Sequence, residues 1–284
     1  INYELPPKPY DIAENKESRK RYRREAAEVM NKRAAEFKRS CRTRMTMEAV
    51  RRYKDTVFYI PWSFDYRGRA YPIPAFLTPQ DTDFGKSLLQ FADEAIDISE
   101  KWLAFQVATS YGLDKATMDE RLEWTRLNVS LVSAVATNPI AFLHEWEAAE
   151  EPWQFLAACD EYYHCCIKLD RKTTSLPVAT DATCSGLQIL AGLARDKSTA
   201  TLVNVVPSDK PQDAYAKVAE TALSLGIPTS VHPVWDRKCV KRTVMTIPYN
   251  AKPFSNRSYI KSALSEKGVE VDKDQLTLLS LIHI

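Results

Sequence analysis

In the stretch VWDRKCVKRTVMTIPYN, Val234 to Asn250, four side chains with very different chemistry recur at four-residue intervals: Arg237, Lys241, Met245 and Tyr249. On a helix, residues four apart stack on one face. The result is a stripe of two cations, a thioether and a phenol. A core would reject the cations, and a purely solvated face has no use for the Met and the Tyr. The combination suits a ligand that is both anionic and flat, such as a nucleotide.

A second candidate is Asp181, in SLPVATDATCSGLQILAGLARD. The apolar run from Leu176 to Ala179 reads as a buried strand, and SGLQILAGLARD as a helix starting near Ser185. A carboxylate between a strand end and a helix start is held at a cleft, where it can bind a hard cation that shares its oxygen ligands with phosphates. On these residues alone a turn residue or a helix cap is the more common role for an Asp so placed. A third candidate is FYIPWSFDYRGRAYPIP, where Arg67 and Arg69 flank Gly68 among aromatics. Glycine lets the backbone approach a ligand while both guanidiniums reach phosphate or carboxylate. A surface turn stacked on Tyr66 and Tyr71 is the plainer alternative.

The elements that must position these groups are mostly helices. Interleaved Glu and Lys/Arg with Ala26-Ala27 and Ala34-Ala35 predict a long charged helix from about Lys16 to Lys38. Ser99 is placed to cap a helix ending near Gly112. Thr117 and Glu120 form a capping box for a helix that stops before Asn138-Pro139. Pro152 fits a first helical turn, and Pro211 opens a helix that closes at Gly226. TVFYIPW and SLPVATD are the candidate strands. No repeat, low-complexity tract or clear linker is visible.

The 284 residues suffice for one large domain or two ordinary ones, and 45% hydrophobic with 27% charged residues is ordinary for a globular chain. No apolar run approaches a membrane span, so no membrane role is expected. The net charge of +2 conceals an asymmetry: residues 1–55 carry 16 Lys and Arg against 9 Asp and Glu, the remainder 23 against 28. The basic segment is open to two readings, a solvated helix face or a surface for a nucleic-acid backbone. Six cysteines (Cys41, Cys159, Cys165, Cys166, Cys184 and Cys239) include no CxxC pair, and free thiols are expected. His164-Cys165-Cys166 has poor spacing for zinc. The final LSLIHI resembles adapter read-through, and residues 279–284 are expected to lie outside the fold.

Taken in order, DYRGRAY, VATDATCSGLQ and RKCVKRTVMTIPYN resemble the single-subunit DNA-dependent RNA polymerases of phage and organelles, with the phage branch expected to be nearer. ELPPKPYDI, GKSLLQFA and NVVPSDKPQDAYAKVA extend the likeness from Glu4 to about Ile260. The resemblance implies a mixed α+β, mostly helical right-hand polymerase fragment, cut at both ends: a basic helical region at 1–55, palm core at 56–200 and a fingers segment at 201–278. It implies that Asp181 and the carbonyl of Ala182 ligate Mg²⁺, two ions in the complete enzyme. Arg237 and Lys241 would grip the incoming triphosphate, and Met245 and Tyr249 would lie towards base and sugar. Asp181, Lys241 and Tyr249 thereby become the catalytic candidates. Arg67, Arg69 and Lys86 would contact nucleic acid.

The implied partners are DNA template, RNA transcript and nucleoside triphosphates, with a monomeric enzyme. The implied location is cytoplasmic, the host's cytoplasm for a phage protein, with an organelle left open because the N-terminus is expected to be missing. Three departures qualify this. The family's second metal-binding Asp sits in a His-Asp-Ser motif, and none of His144, His164, His232 and His283 is followed by Asp-Ser. The fragment is therefore expected to be inactive alone. Pro248 precedes Tyr249 and is expected to end the helix a turn early, while Asn250 tolerates a left-handed cap. Only 56 positions separate Asp181 from Arg237, which implies a reduced fingers insertion. A family A DNA polymerase shares the palm Asp and the Lys-to-Tyr helix, but DYRGRAY and CSGLQ argue against it. A non-catalytic nucleic-acid-binding module, driven by the basic helix, is the alternative of a different class.

Overall fold

The computed structural model describes residues 4–66, 68–181 and 183–282. It is mostly helical and divides into two compact units. One comprises residues up to Asp114 together with Met118–Ala179. The other comprises Lys115–Thr117 and the residues from Thr180 onward.

The first unit begins with α1, Lys16–Tyr53, whose cap is Asn15 accepting from the Glu17 and Ser18 amides. The helix runs 15 residues past the expected Lys38. The cause is tertiary: Thr46 is buried, and the Arg42 guanidinium reaches the Asp81 carboxylate at 2.7 and 2.9 Å. Asp81 also accepts from the Leu77 and Thr82 amides, each at 2.7 Å. β1 (Trp62–Phe64) and β2 (Ala70–Pro72) form an antiparallel hairpin. Of the expected strand TVFYIPW, only Trp62 belongs to a strand; Pro61 cannot donate to a ladder. After the short α2 (Asp83–Ser87) come α3 (Glu100–Tyr111), α4 (Met118–Leu127) and α5 (Val129–Thr137). α3 starts beside Ser99 and ends at Gly112 as expected, although the Ser99 side chain makes no cap bond. α4 and α5 replace the single helix expected up to Asn138. Asn128 separates them, its side-chain amide donating to the Trp124 carbonyl at 2.8 Å in competition with the backbone.

α6 (Leu143–Glu147) and α7 (Pro152–Tyr162), with Pro152 in its first turn, complete the unit; a π-helical turn, Tyr163–Ile167, continues α7. The core lies between α3, α5 and α7 and holds Leu103, Val107, Val132, Val135, Phe155 and Cys159. SLPVATD forms no strand: the isolated bridge of Thr174 to Ala95 lies just before it, the Ser175 carbonyl accepts from the Phe91 amide, and Pro177 removes a donor.

The second unit holds α8 (Ser185–Ala194), α9 (Lys197–Leu202), α10 (Ala214–Ser224), α11 (Arg237–Thr246), α12 (Pro253–Glu266) and α13 (Lys273–Ile282). α10 starts not at Pro211 but after Asp213, which accepts from the Tyr215 and Ala216 amides. Its core packs Ala219, Val231, Trp235, Val240, Val244, Ile260 and Leu264. Leu279, in the segment expected to lie outside the fold, is fully buried in this core. All six cysteines are free. No helix among the described residues is long and apolar enough to cross a membrane.

Candidate functional site

The stripe is real, and it faces solvent. α11 buries Cys239, Val240, Thr243 and Val244 on one side, while Lys241, Met245 (46% exposed) and, beyond the helix end, Tyr249 (50% exposed) lie outward. Asp236 caps α11 through the Lys238 amide and is itself paired with Lys267 at 2.7 Å.

The helix stops at Thr246, as Pro248 demands, and a 3₁₀ turn covers Ile247–Tyr249. Asn250 is left-handed (φ 60°), its amide bonds the Ile247 carbonyl, and the Ala251 amide bonds that of Thr246. This is the Schellman closure, usually made by glycine, here by asparagine. The early stop does not remove the phenol from the neighbourhood of α8. A methyl group at Gly186 would lie 3.2 Å from both Cβ and Cγ of Pro248 and 3.8 Å from Tyr249 Oη. Tyr249 is therefore packed beside the first turn of the helix that follows Asp181.

Arg237 is not a free cation. Its Nε donates to Asp213 Oδ2 at 2.5 Å, and its guanidinium lies 5.3 Å from the Tyr215 ring. Burial alone would raise the Asp213 pKa, but the Arg237 hydrogen bond and the α10 amides outweigh it and hold the carboxyl below the usual range. Burial, then the adjoining Cys184 thiol, push the Tyr215 hydroxyl upward. Because the pair uses Nε, the two terminal nitrogens of Arg237 stay available to an anion. Lys241 makes no ion pair among the described residues.

Asp181 is exposed and has no hydrogen-bond or ion-pair partner among the described residues. As a metal ligand it fits as one carboxylate, and Mg²⁺ is commonly held by one or two carboxylates plus substrate phosphates. It does not make a complete centre: no group of three His, Cys, Asp or Glu residues that could hold a metal occurs among the described residues. Ala182 and Arg67 lie outside the described residues. Cys184, left-handed at φ 61°, provides the carbonyl that accepts from Leu187 and Gln188 and starts α8.

Arg69 and Lys86 belong to the other unit. Asp65 closes the hairpin loop: its amide donates to the Arg69 carbonyl, and its carboxylate accepts from the Arg69 amide at 3.0 Å. Gly68 at φ 76° makes this turn with open space around it. Lys86 lies 3.9 Å from Glu151 and lines a cavity of about 860 Å³ walled by Phe58, Tyr59, Trp62 and Phe91. His164 pairs with Asp160 and Asp170 rather than with its neighbouring cysteines. Two site features escaped sequence reasoning, the Asp213–Arg237 pair and the proximity of Gly186 to Tyr249. Asp213 ahead of a helical run was legible as a cap, but its partner 24 positions on was not.

The model of the DNA-dependent RNA polymerase family matches residues 97–282. The mitochondrial DNA-directed RNA polymerase of Neurospora crassa is 34% identical over 263 residues, covering 87% of this chain and 18% of that protein. DNA-directed RNA polymerase 1, mitochondrial, of Arabidopsis thaliana is 31% identical over 293 residues, covering 93% and 29%. The mitochondrial enzyme of Mus musculus is 33% identical over 228 residues, covering 74% and 19%. The chain thus spans 18% to 29% of the length of these three relatives.

Proposed function

The chain belongs to the DNA-dependent RNA polymerase family, and from that premise we propose that it serves DNA-templated RNA synthesis as part of a right-hand polymerase. Residues 1–55 would form a basic helical approach, 56–200 the palm core and 201–278 a fingers segment. The observation that carries this reading is the packing of Pro248 and Tyr249 against Gly186, beside the Asp181 segment and at the end of the Arg237, Lys241, Met245 stripe.

Asp181 would hold Mg²⁺, with the Ala182 carbonyl as a further ligand. Two such ions, when bound, activate the attacking 3′-hydroxyl and stabilise the departing pyrophosphate. Lys241 and the terminal nitrogens of Arg237 would hold the triphosphate and offset its developing charge. Met245 and Tyr249 would bear on base and sugar. Arg67, Arg69 and Lys86 would touch template or transcript. The partners are DNA, RNA and nucleoside triphosphates, the enzyme acting as a monomer. The three relatives are mitochondrial by name, and the phage-branch expectation draws no support from them. A phage protein would act in its host's cytoplasm, and an organellar one in its organelle.

The test is metal-dependent nucleotide binding by the 284-residue chain. Mn²⁺-dependent ATP affinity is expected to fall more than about tenfold in Asp181→Asn, with affinity for a template–RNA scaffold retained. A change smaller than that makes Asp181 a turn residue. The non-catalytic alternative, resting on the cations of α1, predicts salt-sensitive nucleic-acid binding and indifference to Asp181.

A further inference from the structure

The loop carrying Asp181 is tied down two residues later. Thr183 Oγ1 accepts from the Asn204 side-chain amide at 3.1 Å. The same Asn204 amide group donates to the Gln212 carbonyl at 2.9 Å, and its oxygen accepts from the Gln212 backbone amide at 2.7 Å. Gln188, on α8, donates to the Val203 carbonyl at 2.7 Å from the other side, beside the fully buried Val203. Gln212 precedes Asp213, which starts α10 and fixes Arg237. One half-buried amide side chain therefore joins two stretches that lie far apart in sequence. Asn204 itself is left-handed, at φ 61°, a conformation that asparagine tolerates and most residues resist.

We propose that Asn204 is a positioning residue, setting the Asp181 loop against the Asp213–Arg237 pair so that the carboxylate and the phosphate-binding cation keep a fixed spacing. Asn204 touches neither ligand. It acts because both amide donors are engaged and the oxygen accepts as well, so the residue has one orientation. This role rests on the function proposed above for Asp181 and Arg237.

The experiment uses Asn204→Gly in the 284-residue chain, because glycine keeps the left-handed backbone and removes only the amide. Amide hydrogen exchange is expected to quicken at residues 181–184 and 212–216 together, with α12 unchanged. Mn²⁺-dependent ATP affinity is expected to weaken about tenfold in the wild-type background and not at all further in Asp181→Asn, since a positioning role acts through Asp181. An equal loss in both backgrounds makes Asn204 merely structural and overturns the proposal. So does unchanged exchange at residues 181–184, or unchanged affinity where the wild type binds. If the wild-type chain binds no Mn²⁺–ATP at all, the proposed function fails first and this role with it.

Discussion

Replacing Gly186 by alanine tests whether α8 and the 3₁₀ turn meet as described. The added methyl would sit 3.2 Å from two carbons of Pro248, where apolar carbons prefer about 3.5–4.0 Å. The proline ring cannot rotate away, so the turn bearing Tyr249 has to retreat by a few tenths of an ångström. Overpacking of this kind costs roughly 1–3 kcal/mol. Alanine's higher helix propensity returns at most about 1 kcal/mol, and less in a first turn. The expected net effect is a destabilisation of about 1 kcal/mol, or roughly 4–8 °C in Tm for a unit of this size. Gly192, in the same helix, is the control, because a methyl there meets nothing within 4 Å. Gly192→Ala should stabilise by about 0.5–1 kcal/mol. The assay is thermal unfolding by circular dichroism, with fluorotyrosine NMR following Tyr249. If Gly186→Ala stabilises as Gly192→Ala does and leaves the Tyr249 signal in place, the packing argument is wrong.

Asp81→Ala should destabilise the first unit by about 2–4 kcal/mol, because it removes a buried carboxylate with its four hydrogen bonds and leaves the Arg42 charge without its acidic partner; urea titration measures it. Acid should weaken the wild type for a related reason. Burial alone would raise the Asp81 pKa, but Arg42 and the Thr82 and Leu77 amides outweigh it and leave the carboxyl below its ordinary 3.8. The folded-state value being the lower one, the stabilisation is complete above the ordinary value and is lost as pH falls below it; Tm measured from pH 5 downward should decline more gently in Asp81→Ala. Tyr249→Phe, in a polymerase containing this segment, should keep elongation and lower the preference for ATP over dATP by roughly ten- to a hundredfold; unchanged selectivity would leave Tyr249 a packing residue. The 284-residue chain alone should not extend an RNA primer, since none of its histidines is followed by the Asp-Ser that would supply a second metal-binding carboxylate. Robust Mg²⁺-dependent extension would refute that.

What could be read in advance was whatever local chemistry decides. Pro248 had to end α11, and Asn250 could adopt the left-handed cap because few side chains tolerate it. Ser185 began α8 where the apolar pattern changed. The failures lie where distant residues decide. α1 continues past Lys38 because Arg42 finds Asp81, 39 positions away. SLPVATD had strand composition but no partner strand among the described residues. Arg237 was legible as a cation, but its fixed orientation depends on Asp213, and the Asp181 loop depends on Asn204, neither of which any periodicity marks.

α1 has a mechanical consequence. Its 38 residues make a rod about 57 Å long at 1.5 Å per residue, with Thr46 its one buried residue among those described and Arg42 hydrogen-bonded to Asp81 and the Ala75 carbonyl in the loop before α2. It is a cantilever: the outer half keeps its shape through its own backbone and pairs such as Arg24–Glu28, while all bending moment is borne near its base. Loosening that base would leave helix content unchanged yet let a small angular error grow with distance, so that the arginines at the far end sweep the widest arc.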